Sequence, residues 1–420
     1  MMVQAENNIG GNEMKSFINI TSEIGKLNKV MLHRPGREIE NLSPALLERL
    51  LFDDIPYLEV ARKEHDRFAQ ILNENNVEVL YLEDLVTESL HEDKTKRIFL
   101  EQFLKESHIS NNEIYESLYG YLISKTTREM IDILMAGVRK NEIEVRGVDA
   151  LRGLMKNQYP FYLDPMPNLY FTRDPGASIG NGITINTMQT EARRRETMFL
   201  KYIHTYHSSF NEYEVPLWYD RTLANNIEGG DEHVLSATTI AIGCSQRTSP
   251  EAIETVAKNI FKKHASFDRV LVLEIPSSRA FMHLDTVFTM VDYDKFTIHP
   301  EIEGPLNVFE ITKGINGELN IKQEKDVLQN ILKTALKVPS VELIRCGGGD
   351  SIVAAREQWN DGSNTLAIAP GKVITYERNY VTNDILSKRG ITVITMASAE
   401  LSRGRGGPRC MSMPLNRDDL

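Results

Sequence analysis

Cysteine, positive charge and long apolar runs are all scarce in this sequence. Its 420 residues hold three cysteines, Cys244, Cys346 and Cys410. They are odd in number, far apart and without zinc-ligand or redox-motif spacing, which excludes a disulfide scaffold and leads us to expect free thiols in a reducing compartment. Lysine and arginine number 48 against 59 aspartates and glutamates, and a net charge of −11 disfavours nucleic acid or an anionic membrane as the main partner. The longest uncharged apolar-rich run, Val234 to Gln246, falls short of the ~20 residues that a membrane-spanning helix needs. Met1 to Met14 has no basic region and no apolar stretch, so neither a signal peptide nor a membrane location is expected, and a cytoplasmic one is. What is present is ordinary for a folded chain: 41% hydrophobic and 25% charged residues, enough to bury a sizeable core without staples.

Proline is missing between Pro56 and Pro160. Within that gap, from about 85 to 157, leucine, isoleucine and charged residues dominate. Met130, Ile131, Leu134 and Val138 fall on one helical face, and Ile98, Phe99, Phe103 and Leu104 leave a similar stripe. This predicts an all-helical bundle inserted into a chain of a different texture. Elsewhere short apolar runs alternate with turn residues and then with helical periodicity, giving an α/β pattern. Strands are predicted at Lys29 to His33, Thr239 to Ile242, Val270 to Leu273, Val287 to Val291 and Ala367 to Gly371. Ser43-Pro44 and Ser249-Pro250 each place a capping hydroxyl before a helix-starting proline, with Thr190 and Thr382 as weaker markers. Their spacing fits modules of roughly 65 residues, with the helical stretch as a surplus in the first half.

Five constellations could carry chemistry. Cys410 follows the Gly-rich Ser402-Arg403-Gly404-Arg405-Gly406-Gly407-Pro408-Arg409 run, where Arg405 and Arg409 would favour the nucleophilic thiolate. A buried structural cysteine or an RGG-type tail are the alternatives, and the single copy in an acidic chain counts against the tail. His283-Leu284-Asp285, if on a strand, projects an imidazole and a carboxylate to one side, for acid–base work or for a metal. Glu228-Gly229-Gly230-Asp231-Glu232-His233 presents carboxylates from a tight turn, toward a cation or simply toward solvent. Phe171-Thr172-Arg173-Asp174-Pro175-Gly176 reads alone as a turn, and Cys346-Gly347-Gly348-Gly349-Asp350 as tight backbone packing without phosphate-loop spacing. Carboxylates that hold a cation, together with a thiolate that attacks carbon, fit a guanidinium.

These motifs, in this order and with Leu50-Leu51-Phe52-Asp53-Asp54 ahead of them, resemble the bacterial arginine deiminase family from about Ile24 to Leu420. The resemblance implies a five-module α/β-propeller of ββαβ repeats around a pseudo-five-fold axis, divided as 1–84, an inserted helical bundle at 85–157, and 158–420, with residues 1–20 a flexible extension. It implies Cys410 as nucleophile, His283 as general acid and base assisted by Glu228, and Asp174 and Asp285 as grips on the guanidinium. It further implies that Arg193, Arg247 and Asn168 hold the substrate carboxylate, that Phe171, Leu51 and Gly404 line the pocket, and that Arg405 belongs to a mobile closing loop. Free L-arginine would be the substrate, with no metal or organic cofactor, in a homodimer or homotetramer.

Three rivals remain from the sequence. A manganese ureohydrolase such as arginase needs an Asp-x-His-x-Asp cluster, and Phe281 stands where its first aspartate would be. An amidinotransferase or a dimethylarginine hydrolase would share the fold. A non-catalytic arginine sensor would have no use for Cys410, His283, Glu228, Asp174 and Asp285 together.

Overall fold

The computed structural model describes residues 16–145, 159–263, 266–276, 281–304 and 306–420. Five of its sheets share one order. In each, an antiparallel pair is followed by a third strand parallel to the second, and a parallel neighbour requires a crossover that returns over the sheet. Glu232–Ser236 pairs with Thr239–Cys244, the helix Pro250–Lys263 crosses over, and Arg269–Glu274 returns parallel. The same order joins Ser178–Ile179, Gly182–Thr184 and Leu217–Tyr219. It recurs in Phe288–Asp292, Lys295–Ile298 and Glu342–Arg345, and in Leu366–Ala369, Lys372–Tyr376 and Thr392–Met396. The fifth sheet is assembled from both chain ends. Met413–Arg417 pairs antiparallel with Leu27–Leu32, and Glu78–Tyr81 lies parallel to it after the helix Leu58–Glu74. The architecture is therefore α/β, and all the predicted strands are found with small shifts at their ends.

The Pro-free stretch forms the helices Leu82–Ser89, Asp93–Glu106, Asn112–Ile123 and Thr127–Ala136. Thr126 and Glu129 cap the last of them reciprocally. Phe99 meets Tyr202 edge-on at 4.9 Å and packs beside Phe199, so these helices bury their apolar faces against the helix Glu196–Tyr206. Two predicted members of the stripes differ. Ile98 is exposed, one position off the face that holds Phe99 and Phe103. Val138 is buried but lies in a strand, because the helix ends at Gly137, whose φ of 79° breaks the turn. Residues 146–157 of the expected bundle lie outside the described residues.

Three other expectations need correction. Ser249 Oγ does accept the Ala252 N–H at 3.3 Å, but neither Ser43 nor Thr190 caps through its side chain. Thr382 lies inside the helix Tyr380–Lys388, where its hydroxyl accepts the Gly347 N–H and bonds Glu357. Of the stretch expected to be a flexible extension, residues 1–15 lie outside the described residues. Phe17, Ile18 and Ile20 are buried, and Asn19 and Ile20 bridge to Asn416 and Gly180. An apolar segment that completes two sheet edges gains more by packing than by staying free.

Beneath the sheets the N-terminal segment reaches the C-terminal loop through a buried charge. Arg409, fully enclosed, donates from Nε to Glu23 at 3.1 Å, from Nη1 to Asp285 at 3.0 Å and from Nη2 to the Glu232 carbonyl at 2.9 Å. Removing one partner of such a pair strands the other in a medium that cannot solvate it. Glu23→Ala should therefore cost about 3 kcal/mol of stability, seen as a lowered urea midpoint at unchanged slope. An unmoved midpoint would show that this link does not tie the chain ends together.

Candidate active site

Each of the five sheets delivers a polar side chain from the loop just ahead of its first strand. Asp174 precedes Ser178–Ile179, Glu228 and Asp231 precede Glu232–Ser236, and His283 and Asp285 precede Phe288–Asp292. Asn364 precedes Leu366–Ala369, and Cys410 precedes Met413–Arg417. Three of these loops, those of Asp174, His283 and Cys410, line a cavity of about 640 Å³. Its walls include Leu51, Asn168, Phe171, Asp174, Arg193, Arg247, His283, Gly404, Arg405 and Cys410. Glu228 and Asp285 are not on the wall. They are fully buried one layer behind it, Glu228 against His283 and Asp285 against Cys410.

Close backbone approach builds the floor. A Cβ at Gly230 would lie 2.8 Å from the His283 ring, and one at Gly229 would overlap the Arg173 carbonyl. Only glycine lets this turn slide under the histidine. Glu228 Oε2 then lies 2.7 Å from His283 Nε2, and Asp174 Oδ1 stands 3.7 Å from Nδ1. The strand arrangement that would project His283 and Asp285 to one side is not formed; His283 is extended and is followed by the 3₁₀ turn Leu284–Thr286. Asp231 fixes that turn by accepting the Leu284 N–H at 2.8 Å, and it takes the Ser245 and Thr248 hydroxyls as well. On the opposite side, Cβ atoms at Gly404 and Gly406 would collide with Tyr170 and Phe171, so the C-terminal loop lies flat on those rings.

The mouth is held by charge and by one strained residue. Leu51 takes a left-handed φ of 62° at the end of the helix Leu47–Leu50, and Asn168 Nδ2 donates to the Leu50 carbonyl at 2.7 Å. Asp53 then pairs with Arg405 at 3.3 Å, and Arg403 pairs with Asp54. The Arg405 guanidinium stacks 3.6 Å from the Trp359 ring.

Arginines already occupy the carboxylates. Arg193 gives Nη1 to Asp174 at 2.5 Å and both Nε and Nη2 to Glu196. Arg247 stands 3.5 Å from Glu228. Asp174, Glu228 and His283 offer donor atoms within 4.8 Å of one another, the grouping among the described residues that could take a metal ion. The cations already seated on two of them oppose a further one.

Burial and neighbouring charge set the protonation states. Burial alone would lower the His283 pKa, but Asp174 and then Glu228 lift it to about 9, so the ring is imidazolium at neutral pH. Its contribution to stability is present in full below its ordinary 6.5 and is lost as pH rises through about 9. Burial would raise Glu228, but Arg247 and His283 bring it down to about 2. The Cys410 thiol goes the other way. Burial, then Asp285, Asp174 and Asp361, push its pKa well above the usual 9.0, and Arg409 only partly opposes them. Arg409 thus does not make the free thiolate expected of it, because its guanidinium is committed to Glu23 and Asp285.

Sequence reasoning missed Asn364, whose Nδ2 lies 3.1 Å from Cys410 Sγ, and Asp231, which the motif contained without a role. It missed Asp361 too, a buried carboxylate that burial lifts to about 7. No local pattern marks Asn364; Asp231 and Glu228 share a turn, and only the fold separates their tasks.

Residues 48–417 match the family model described as arginine deiminase. Arginine deiminase of Bacillus thuringiensis is 56% identical over 410 residues, covering 97% of this chain and 100% of that one. The Latilactobacillus sakei enzyme of the same name is 54% identical with the same coverage. Among solved structures, the amidinotransferase SxtG from Microseira wollei superposes with a TM-score of 0.56 at 14% identity, covering 96% of this chain and 98% of that one. A citrulline complex of a cysteine-to-serine variant of dimethylarginine dimethylaminohydrolase from Pseudomonas aeruginosa gives 0.51 at 13%, covering 92% and 99%.

The thiol's surroundings are directly testable. With Cys244 and Cys346 replaced by serine, alkylation of Cys410 in the ligand-free protein should climb with pH without levelling off below about pH 9. A plateau near neutral pH would contradict a carboxylate-raised thiol.

Proposed function

This chain belongs to the arginine deiminase family, and on that premise we propose that it hydrolyses free L-arginine to L-citrulline and ammonia through a covalent amidino-thioether on Cys410. The observation that carries this reading is a buried sulfur, 3.5 Å from Asp285, on a cavity wall that also carries Asp174 and His283; the neighbouring carboxylates hold it as a thiol until a cation arrives. A guanidinium entering beside Asp174, with Asp285 behind the sulfur, supplies that cation at the carbon to be attacked, so binding and activation are one event. As the guanidinium docks, the thiol gives its proton to solvent and the sulfur bonds to the guanidino carbon. His283 passes a proton to the leaving nitrogen, the C–N bond breaks and ammonia departs. Water then attacks and gives one proton back to His283, the C–S bond breaks as the remaining hydroxyl proton returns to sulfur, and citrulline leaves, with one water consumed overall.

Asp174 exchanges partners in this scheme. In the free protein it holds Arg193, itself a guanidinium, at 2.5 Å. The substrate's guanidinium replaces that contact and releases Nη1 of Arg193 toward the substrate carboxylate, beside Arg247 and Asn168. Phe171, Leu51 and Gly404 shape the slot around the chain between its two charged ends, and Arg405 closes it. A peptide-bound arginine lacks the free carboxylate that this end of the slot selects. The relative ArgZ, solved covalently bound to a reaction intermediate, lends support from the shared fold, with a TM-score of 0.52 at 12% identity, covering 93% of this chain and 98% of that one.

The five like-ordered sheets support reading the body as a propeller of five modules, in segments 1–84 and 158–420, with 85–157 as the helical insertion. Free cysteines support a reducing, cytoplasmic setting. Among the described residues no helix is long and apolar enough to cross a membrane.

Purified protein given arginine in the presence of a chelator should yield equimolar citrulline and ammonia and no urea. Cys410→Ala should lose more than about 10³-fold in kcat, while Cys244→Ala and Cys346→Ala keep their activity. Urea, loss of turnover in chelator, or an active Cys410→Ala would each sink the thiol mechanism. Arg247→Ala should raise KM about tenfold or more, as loss of a charged hydrogen bond requires. An unchanged KM would remove Arg247 from the carboxylate clamp.

A further inference from the structure

One buried, uncharged side chain contacts the reacting sulfur without belonging to any motif of the sequence. We propose that Asn364 is a catalytic residue, the neutral hydrogen-bond donor that aims Cys410 Sγ and carries the negative charge that develops on it. The proposal rests on Cys410 being the nucleophile.

The Asn364 amide is fully used. Its Nδ2 donates to Cys410 Sγ at 3.1 Å and to the Asp285 carbonyl at 3.1 Å, and its Oδ1 accepts the Cys410 N–H at 3.0 Å. Flipping the amide would set oxygen against the Asp285 carbonyl and nitrogen against the Cys410 N–H, so the network allows one orientation. The residue is fully enclosed, and its own N–H donates to the Asp361 carbonyl at 3.0 Å. A Cβ at Gly407 would collide with Asn364, so the third glycine of the C-terminal loop is what lets Cys410 come this close.

The partners of the sulfur explain why a neutral donor matters. Its other close contact is Asp285 Oδ2 at 3.5 Å, an acceptor. The nearest cation, Arg409, is committed to Glu23 and Asp285. Among the described residues, Asn364 Nδ2 is thus the hydrogen-bond donor placed on Sγ. A cationic donor there would ionise the thiol in the empty site. An amide leaves ionisation to the incoming guanidinium, yet it is already oriented when charge appears on sulfur. The topology supports the assignment independently. Four of the five like-ordered sheets give Asp174, Glu228, His283 with Asp285, and Cys410 from the loop ahead of their first strand, and Asn364 holds that place in the fifth.

Asn364→Asp keeps the shape and turns the donor into a carboxylate acceptor, while Asn364→Ala removes the group. Both would be made with Cys244 and Cys346 replaced by serine. The readouts are arginine turnover, the pH profile of Cys410 alkylation by iodoacetamide without arginine, and thermal unfolding. Asn364→Asp should lower kcat by about 100-fold, leave KM within about threefold, and move the alkylation profile up by about one pH unit. Asn364→Ala should move both in the same sense by less. An alkylation profile and kcat like the parent's would overturn the proposal. So would loss of KM, kcat and thermal midpoint together with an unmoved alkylation profile, since that marks a purely structural residue. If Asn364→Asp does not fold, the alkylation profile of Asn364→Ala decides. A parent protein that makes no citrulline would fault the functional reading, while the alkylation profiles would still judge the donor.

Discussion

The contact between Asp285 and Arg409 is what the chemical corner of this molecule hangs on. Arg409 is adjacent in sequence to Cys410, Asp285 is two residues from the imidazole of His283, and Glu23 lies at the other end of the chain. One buried guanidinium joins all three. Its charge would be costly to bury alone, and two carboxylates with a backbone carbonyl make it tolerable. The consequence is chemical as well as structural. A cation spent on holding carboxylates in place cannot also ionise the sulfur next to it. The sulfur therefore meets more carboxylate than cationic charge in the free protein, and in the proposed mechanism the cation that offsets it comes with the substrate.

The sequence and the structure agree where a local signal has a local cause. Cys410 stands out because glycines and arginines around one thiol are unusual, and those glycines do allow the loop to lie on Tyr170 and Phe171. The Gly229-Gly230 turn likewise allows Glu228 to reach His283. Agreement fails where meaning depends on distant partners. Arg409 reads as an activator of the thiol until Glu23 is seen beside it. His283 and Asp285 read as strand neighbours, but Asp231 curls them into a turn that gives one to the cavity and the other to the layer behind. Thr382 has the look of a helix start, and its hydroxyl is needed by Glu357. Leu51, Asn168 and Arg247 carry no sign of their own and came only from the resemblance. Asn364, between a serine and a threonine with no periodicity, is invisible until the fold sets it against sulfur.

Repetition is what turns five unremarkable loops into one site. A strand pair that opens each sheet points its leading loop toward the same interior, so each sheet brings a polar side chain to one place. This also fits the pattern of likeness to other proteins. Structures at 12–14% identity superpose over more than nine-tenths of this chain. Pairing and crossover geometry depend on alternation and burial, which many sequences satisfy. The leading loops are under a tighter rule, since each must set one atom within a few tenths of an ångström of its neighbours. A change of one loop residue, such as the amide of Asn364 for a carboxylate, leaves every sheet intact and alters only the charge that the sulfur meets. The fold thus holds position, the loops hold charge, and in the proposed mechanism the balance of charge around Cys410 decides when the thiol becomes a nucleophile.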